Sequence, residues 1–156
     1  MALSLHLCQC LIDNAVWKKF RNPGPENIAR VIGVHDYDFV FPEMSIYGLV
    51  YDEISHQIPN FHSYKTQSKM RLTRYLPGHF ISRHQDSLDP NRALTITIQL
   101  SDPNSYEGGE TVFDDGTILS KEHGFVNLSS PWDWHCVKPL ISGVRYSLVW
   151  WLCQPD

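Results

Sequence analysis

The stretch Leu94-Thr95-Ile96-Thr97-Ile98-Gln99-Leu100 decides the fold, because apolar and polar residues alternate along it without a break. Successive side chains of a β-strand point to opposite faces, so its leucines and isoleucines share one face, and Thr95, Thr97 and Gln99 share the other. In a plain sandwich the apolar face would point inward and the polar face into water. If helices cover the sheet from outside, the polar face lines an internal cavity. This strand alone does not distinguish the two arrangements.

Further strands are expected on both sides of this stretch, because period-two segments begin at about residue 69 and Gly or Pro turns separate most of them. The expected strands cover 70–76, 79–86, 94–100, 110–113, 124–128, 134–140 and 143–152. Short strands that follow helices predict a mainly β protein. We expect a double-stranded β-helix, or jelly-roll, barrel formed by 69–152, with N-terminal helices packed on one sheet.

A first helix is predicted over 15–20. Asp13 or Asn14 would cap its start, and the segment 22–25, rich in Pro and Gly, would end it. Together with the next helix, it would make 1–60 a helical support region for the barrel.

A second helix is expected after Pro42, ending before Pro59. Its apolar residues recur at helical spacing: Ile46, Leu49, Val50 and Ile54. At 156 residues, the whole chain has the size of a single domain, 1–156, with a core of its own.

Composition and charge oppose several classes of function. The net charge of -4 argues against a general nucleic-acid-binding role, which needs a basic face. No apolar run reaches the roughly 18 residues of a membrane span, and the start of the chain lacks basic residues, so we expect a cytoplasmic protein. The cysteines lack paired zinc-site spacing and are expected to be reduced thiols: Cys8, Cys10, Cys136 and Cys153.

A candidate metal site consists of His84-x-Asp86 and the downstream His135. Strand residues two apart point the same way, so His84 and Asp86 can bind one ion while Gln85 points elsewhere. Two imidazoles and one carboxylate suit a facial triad, which holds Fe(II) and leaves positions open for small ligands. Zinc with a bound water is the alternative. A zinc hydrolase usually places a general base beside that water, and the sequence has no HExxH segment.

Arg145 is a second candidate group, in the expected strand 143–152. It shares a face with Ser147, Val149 and Trp151, and a buried arginine is unfavourable unless a carboxylate partners it. The guanidinium fork suits such a carboxylate, and Ser147 can add a hydrogen bond. A metal triad and a carboxylate anchor are the groups that a 2-oxoglutarate-dependent oxygenase needs.

Several motifs then occur in the order of one known family. They are Arg74-Tyr75-Leu76-Pro77-Gly78 followed by His84-Gln85-Asp86, Arg92-Ala93-Leu94-Thr95, Tyr106-Glu107-Gly108-Gly109-Glu110, His135-Cys136-Val137-Lys138-Pro139 and Gly143-Val144-Arg145. Over about 69–152, the chain resembles the prolyl 4-hydroxylase family of Fe(II)/2-oxoglutarate dioxygenases. Leu100-Ser101-Asp102-Pro103 and the step from His135 to Arg145 are especially similar to the small PKHD-type hydroxylases of bacteria and phages.

The resemblance implies an enzyme that binds Fe(II) through His84, Asp86 and His135 and anchors 2-oxoglutarate on Arg145. O2 is then the other cosubstrate, and ascorbate is a candidate reductant. Arg92 would contact the substrate or lie in solvent. The resemblance places further side chains in or near the cosubstrate pocket: Tyr75, Thr97, Gln99 and Trp151.

By the same resemblance, the expected substrate is a prolyl residue in a peptide or protein, hydroxylated as 2-oxoglutarate is converted to succinate and CO2. A free amino acid or small metabolite is the alternative, as is a jelly-roll module that binds a metal or small acid without catalysis. The segments 60–70 and 87–91 are polar and turn-like enough to form lids. No nucleic-acid or membrane partner is expected, and the pattern indicates no oligomeric state.

Overall fold

The computed structural model describes residues 1–22, 35–42, 44–66 and 70–155, with side chains throughout except at 18–22 and 35–38. In these ranges, no helix is long and apolar enough to cross a membrane. The helices are α1 (Leu5–Asp13) and α2 (Met44–Ser55). The strands are β1 (Lys18–Asn22), β2 (His35–Val40), β3 (Arg71–Tyr75), β4 (Phe80–His84), β5 (Arg92–Gln99), β6 (Tyr106–Gly108), β7 (Thr111–Phe113), β8 (Val126–Ser129), β9 (His135–Val137), β10 (Leu140–Gly143) and β11 (Arg145–Cys153).

Most strands join one antiparallel path, in the order β7-β9-β4-β2-β3-β11-β5-β8, and β1 pairs with β2 at its side. β6 and β10 form a separate pair. The long strand β11 is central, because β3 and β5 flank it on its two sides. This mainly β architecture with N-terminal helices confirms the predicted jelly-roll fold.

The first helix lies earlier in the chain than the sequence predicted. α1 ends at Asp13, and Asn14 caps its C-terminus, with Nδ2 donating to the carbonyl oxygen of Cys10 at 2.8 Å. Residues 18–22 form β1 instead. The predicted helix over 15–20 is therefore wrong, because Asn14 closes one helix rather than opening another.

The N-terminal region 1–60 is consequently mixed rather than purely helical. β1 pairs with β2, and β2 continues into the barrel by pairing with β3 and β4. β1 has no alternation of apolar residues, and β2 alternates only over the four residues 36–39, so periodicity did not reveal them. The helix expected after Pro42 is confirmed as α2.

The main core lies between the helices and the outer face of the β3-β11-β5 sheet. On that face Ile96 and Ile98 of β5 and Trp150 of β11 are fully buried. The helices cover them with apolar side chains: Leu7, Cys8, Leu11, Val50 and Ile54. The polar residues of β5 therefore face the barrel interior, which is the second of the two arrangements that its alternation allowed.

Residues 60–66, part of a segment polar and turn-like enough to form a lid, are tied to the barrel. Phe61 is buried in the main core. The backbone of Lys65 exchanges two hydrogen bonds of 2.9 Å with Cys153 at the end of β11. This anchoring contradicts a lid over 60–66, while 67–69 lie outside the described residues.

All four cysteines are free thiols, as predicted. Cys8 is buried on the inward face of α1, and burial, reinforced by the charge of Glu53, raises the pKa of its thiol to about 11. A thiol held neutral in this way is a poor nucleophile and a poor metal ligand at neutral pH.

Candidate active site

The three predicted metal ligands converge inside the barrel. β4 ends at His84 and β9 begins at His135, and these two residues are opposite each other in the antiparallel pair. Asp86 follows β4 in a turn, where its backbone N–H donates to the carbonyl oxygen of Pro131 at 2.9 Å. One ligand atom of each residue lies within 4.8 Å of the others.

The imidazoles present the same nitrogen to this centre. Nδ1 of His84 lies 2.8 Å from the carbonyl oxygen of Ser82, and Nδ1 of His135 lies 2.9 Å from that of Asp133. Because a carbonyl only accepts, each Nδ1 carries the proton and each Nε2 keeps its lone pair. The Nε2 atoms lie 3.6 and 3.8 Å from the two carboxylate oxygens of Asp86.

Neighbouring side chains orient the carboxylate as well. Oγ1 of Thr95 donates to Oδ2 of Asp86 at 3.1 Å. Nη1 of Arg92 donates to the backbone carbonyl oxygen of Asp86 at 2.5 Å, which fixes the turn that carries the ligand. Such outer contacts hold a metal ligand in one orientation.

The protonation states suit metal binding. Burial disfavours the charged form of Asp86, but its contacts with His84 and His135 outweigh this, so the pKa of Asp86 lies well below its usual range. Burial, and then the nearby His84, lower the pKa of His135, against the pull of Asp86. An ionised carboxylate and a neutral imidazole are the forms that bind a metal.

The centre opens into a cavity of about 420 Å³, its open mouth included. The inward residues of β11 form one wall, and the inward residues of β3 form the next. In the part of the chain that the structure describes, Asp86 is the only carboxylate among the lining side chains. The lining residues besides the triad are Arg71, Thr73, Tyr75, Ile81, Thr97, Thr111, Val137, Arg145, Ser147, Val149 and Trp151.

Arg145 is a buried cation held by neutral groups, with 5% of its surface exposed. Nε donates to Oε1 of Gln99 at 3.3 Å, and Nη2 lies 3.5 Å from Oγ1 of Thr111. The guanidinium carbon lies 5.1 Å from the ring centre of Tyr75. Among the described residues, Nη1 has no hydrogen-bond partner and no carboxylate forms an ion pair with the guanidinium. A buried charge in this state is stabilised by an anionic ligand.

The cavity contains most of the pocket residues that the sequence singled out. Tyr75, Thr97, Ser147 and Trp151 line it, and Tyr75 is directly opposite Arg145 across the β3-β11 pair. Burial raises the pKa of Tyr75 despite the nearby Arg145, so its hydroxyl keeps its proton and can donate a hydrogen bond.

Gln99, which the resemblance placed in or near the cosubstrate pocket, contacts Arg145 from outside the cavity lining. Gln99 is buried but does not line the cavity. Its amide oxygen accepts from Nε of Arg145, and its Nε2 donates to the hydroxyl of Tyr106 at 2.7 Å. Gln99 therefore lies behind Arg145 and orients it.

Sequence reasoning missed three polar lining residues, Arg71, Thr73 and Thr111, and the two apolar ones, Ile81 and Val137. Arg71 and Thr73 share the inward face of β3 with Tyr75, so the period-two rule applied to that strand would have found them. Oγ1 of Thr73 lies 2.5 Å from Oγ of Ser147 on the neighbouring strand. Thr111 gave no such signal, because β7 is too short for a periodic pattern.

Comparison with known proteins agrees with this geometry. The sequence profile of the 2OG-Fe(II) oxygenase superfamily matches residues 70–153. A PKHD-type hydroxylase of Synechococcus sp. (strain CC9605) is 32% identical over 102 residues, which are 61% of this chain and 46% of that protein. A PKHD-type hydroxylase of Maricaulis maris is 36% identical over 94 residues, 56% of this chain and 43% of that protein. The matches thus span less than half the length of these relatives.

Solved structures share the fold at low sequence identity. A 2OG-Fe(II) oxygenase family oxidoreductase from Burkholderia pseudomallei has a TM-score of 0.68 at 17% identity, covering 96% of this chain and 78% of that one. The viral collagen prolyl hydroxylase of Paramecium Bursaria Chlorella virus-1, solved with 2OG, has a TM-score of 0.61 at 19% identity. The match covers 99% of this chain and 92% of that one. With the profile match over more than half of its length, the chain belongs to the 2OG-Fe(II) oxygenase superfamily.

Proposed function

We propose that this chain is an Fe(II)- and 2-oxoglutarate-dependent oxygenase that hydroxylates a prolyl residue in a peptide or protein. The family and the His84-Asp86-His135 triad imply Fe(II) and 2-oxoglutarate. Two observations support the prolyl substrate: the curated relatives are PKHD-type hydroxylases, and the structural neighbours include prolyl hydroxylases.

The observation that carries the proposal is the unpartnered Nη1 of Arg145, buried beside the cavity that the triad faces. A guanidinium with free donors binds the terminal carboxylate of 2-oxoglutarate through charge-assisted hydrogen bonds. A metal site for small ligands and an anchor for a dicarboxylic acid thus lie in one cavity. Neither a structural metal site nor a buried structural arginine requires this combination.

The chain's own residues would bind and orient the reactants. Bound Fe(II), 2-oxoglutarate and O2 supply the oxidising chemistry that converts a C–H bond to an alcohol, with release of succinate and CO2. Arg145 holds the far carboxylate, and the Tyr75 hydroxyl donates beside it. Ile81 and Val137 exclude water from the same cavity.

Zinc hydrolysis is less well supported by the same residues. A zinc hydrolase needs a general base beside its water, and Asp86, itself a ligand, is the one carboxylate among the described lining residues. Hydrolysis would also leave the buried charge of Arg145 without a function.

The test is an oxygen-free titration of the metal-free protein with Fe(II) and 2-oxoglutarate. We expect the weak visible charge-transfer band of chelated 2-oxoglutarate, its loss in Arg145→Ala at limiting cosubstrate, and its return at high cosubstrate. Arg83→Ala is the matched control, because Arg83 is exposed and paired with Asp114. A band that never forms while zinc binds tightly would overturn the proposal. If the band forms, proline-containing peptides are screened by mass spectrometry for products one oxygen atom heavier.

A further inference from the structure

Two guanidinium groups lie against one indole ring at the cavity end opposite Arg145. The guanidinium carbon of Arg92 lies 4.1 Å from the ring centre of Trp151, and that of Arg71 lies 4.7 Å from it. Arg71 and Trp151 line the cavity, and Arg92 begins the neighbouring strand β5. Both arginines are half-buried.

This cluster, Arg71, Arg92 and Trp151, is separate from the proposed 2-oxoglutarate anchor. Arg145 and Trp151 lie at opposite ends of the same wall, and at 3.3 Å per residue roughly 20 Å of strand separates them. The cluster instead adjoins the metal centre, because Arg92 donates to the backbone carbonyl of Asp86. A substrate that reaches the metal from this end must pass the cluster.

The two cations repel each other. Both guanidiniums are permanently charged and lie within 4.7 Å of the same ring centre. Among the described residues, no carboxylate lies within the 4.0 Å ion-pair distance of Arg92; its one hydrogen bond goes to a neutral carbonyl. An anion bound at this end of the cavity would be attracted by both guanidiniums and would weaken their repulsion.

Arg83 provides an internal comparison. Its guanidinium carbon also lies 4.1 Å from a tryptophan ring centre, that of Trp134. Arg83, however, forms a two-pronged ion pair with Asp114, at 2.9 Å from Nε and 2.6 Å from Nη2. Within the described residues, a carboxylate thus neutralises this stacked arginine, but none neutralises Arg92.

We infer that Arg71 and Arg92 bind a carboxylate of the substrate, so that the preferred substrate is acidic close to the hydroxylated carbon. This inference rests on the oxygenase activity in the proposed function and specifies the charge of the substrate. The carboxylate belongs either to an Asp or Glu side chain next to a peptidyl proline or to the α-carboxylate of a free amino acid. Trp151 offers an apolar face to the carbon atoms beside it.

The first experiment detects binding at Trp151 itself. The protein, with its five tryptophans replaced by 5-fluorotryptophan, is loaded with zinc and 2-oxoglutarate and followed by fluorine NMR, and Trp151→Phe assigns the signal. The probes acetyl-Pro-Asp-amide and acetyl-Pro-Asn-amide differ by one carboxylate. We expect a saturable shift with the Asp peptide and binding weaker by about tenfold or more with the Asn peptide, the effect of losing one charge-assisted contact.

Matched variants assign the effect to the cluster. Arg71→Gln and Arg92→Gln should remove the preference for the Asp peptide, while Arg83→Gln should keep it. L-Proline and L-prolinamide distinguish the two carboxylate sources: a response to L-proline alone indicates a free amino acid, and a response to the Asp peptide alone indicates an acidic peptide. Equal binding of charged and neutral partners, or no response to any carboxylate, would overturn the inference.

Failure of the carboxylate preference can be distinguished from failure of the oxygenase activity. If the charge-transfer band with 2-oxoglutarate forms but the charge preference is missing, the inference fails and the oxygenase stands. If the band never forms, both fail. In turnover, Arg71→Gln should raise the KM for the acidic substrate and leave the KM for 2-oxoglutarate unchanged; a merely structural residue would alter both.

Discussion

The two faces of β11 carry adjacent tryptophans with opposite surroundings. Trp150 is fully buried on the outer face, with its ring centre 5.4 Å from that of Phe61 and 6.0 Å from that of Tyr47. Trp151, with 7% of its surface exposed, faces the cavity and the guanidiniums of Arg71 and Arg92. One strand thus separates an apolar core from a polar interior.

The difference indicates how the fold divides its tasks. The outer face removes apolar surface from water and thereby stabilises the fold. The inner face buries Arg145, Ser147, Thr95, His84 and His135 and half-buries Asp86, groups that contribute little to stability unless ligands complete their contacts. Substitutions on the outer face should therefore change stability, and substitutions on the inner face should change ligand binding.

The largest effect is expected from the triad. Asp86→Ala should abolish the charge-transfer band and succinate formation, because two imidazoles without the carboxylate no longer complete the facial site. The same substitution should change the free energy of unfolding of the metal-free protein only slightly. Both are measured side by side, by absorption and by urea unfolding, with Asp13→Ala at the exposed end of α1 as control. Normal turnover in Asp86→Ala would remove this residue from the metal site.

The adjacent tryptophans test the comparison most directly. Trp150→Ala should lower the free energy of unfolding by about 3–5 kcal/mol, the usual effect of emptying a large core site. Trp151→Ala should lower it by less than half as much, because one side of that ring faces a cavity. Urea titration of the two variants gives the ratio, and equal losses would show that the inner face stabilises the fold as much as the outer one.

A smaller effect is expected from Cys8, which belongs to the outer-face core. Its pKa is raised to about 11, mainly by burial, whereas an unfolded thiol titrates near 8.5. Between these values the folded state holds more protons than the unfolded state, so stability falls as pH rises, by at most about 1.4 kcal/mol per pH unit. Below about pH 8 this dependence vanishes.

Cys8→Ala isolates this contribution from the lysines and tyrosines that also titrate in alkali. The variant should lose less stability than the natural chain between about pH 8 and 10, as measured by urea unfolding at each pH. Parallel curves for the two proteins would mean that the thiol ionises as easily in the folded state as in the unfolded one.

The sequence predicted the triad correctly because its ligand spacing follows from local geometry. His84 and Asp86 are two residues apart at a strand end, and the third ligand, His135, begins another strand. The alternation of β5 likewise defined two faces, although only the position of the helices showed which face is inside. The spacing of residues along individual strands was sufficient to predict the ligands and to define the two faces of β5.

Contacts between strands were not predictable in this way. Gln99 is opposite Ser147 in the register, yet its amide joins Arg145 to Tyr106, a contact that depends on how β5, β6 and β11 meet. The proximity of Arg71 and Arg92 to Trp151 also needs the register of three strands. The N-terminal strands were missed for another reason: β1 lacks the alternation that marks a half-buried strand, and in β2 the alternation covers only four residues, 36–39.

The smallest effect is expected from Ser147, whose Oγ lies 2.5 Å from Oγ1 of Thr73 in the cavity wall. In Ser147→Ala the threonine hydroxyl keeps an acceptor, because the carbonyl oxygen of residue 147 lies 3.3 Å from it. No buried donor is then left unsatisfied, so the loss of stability should stay within about 0.5–1.5 kcal/mol.

If the serine hydroxyl also contacts 2-oxoglutarate, the KM for 2-oxoglutarate in Ser147→Ala should rise by about two- to tenfold, far less than in Arg145→Ala. Initial rates of succinate formation against cosubstrate concentration measure this ratio. A rise as large as that of Arg145→Ala would mean that the hydroxyl, and not the guanidinium alone, anchors the carboxylate.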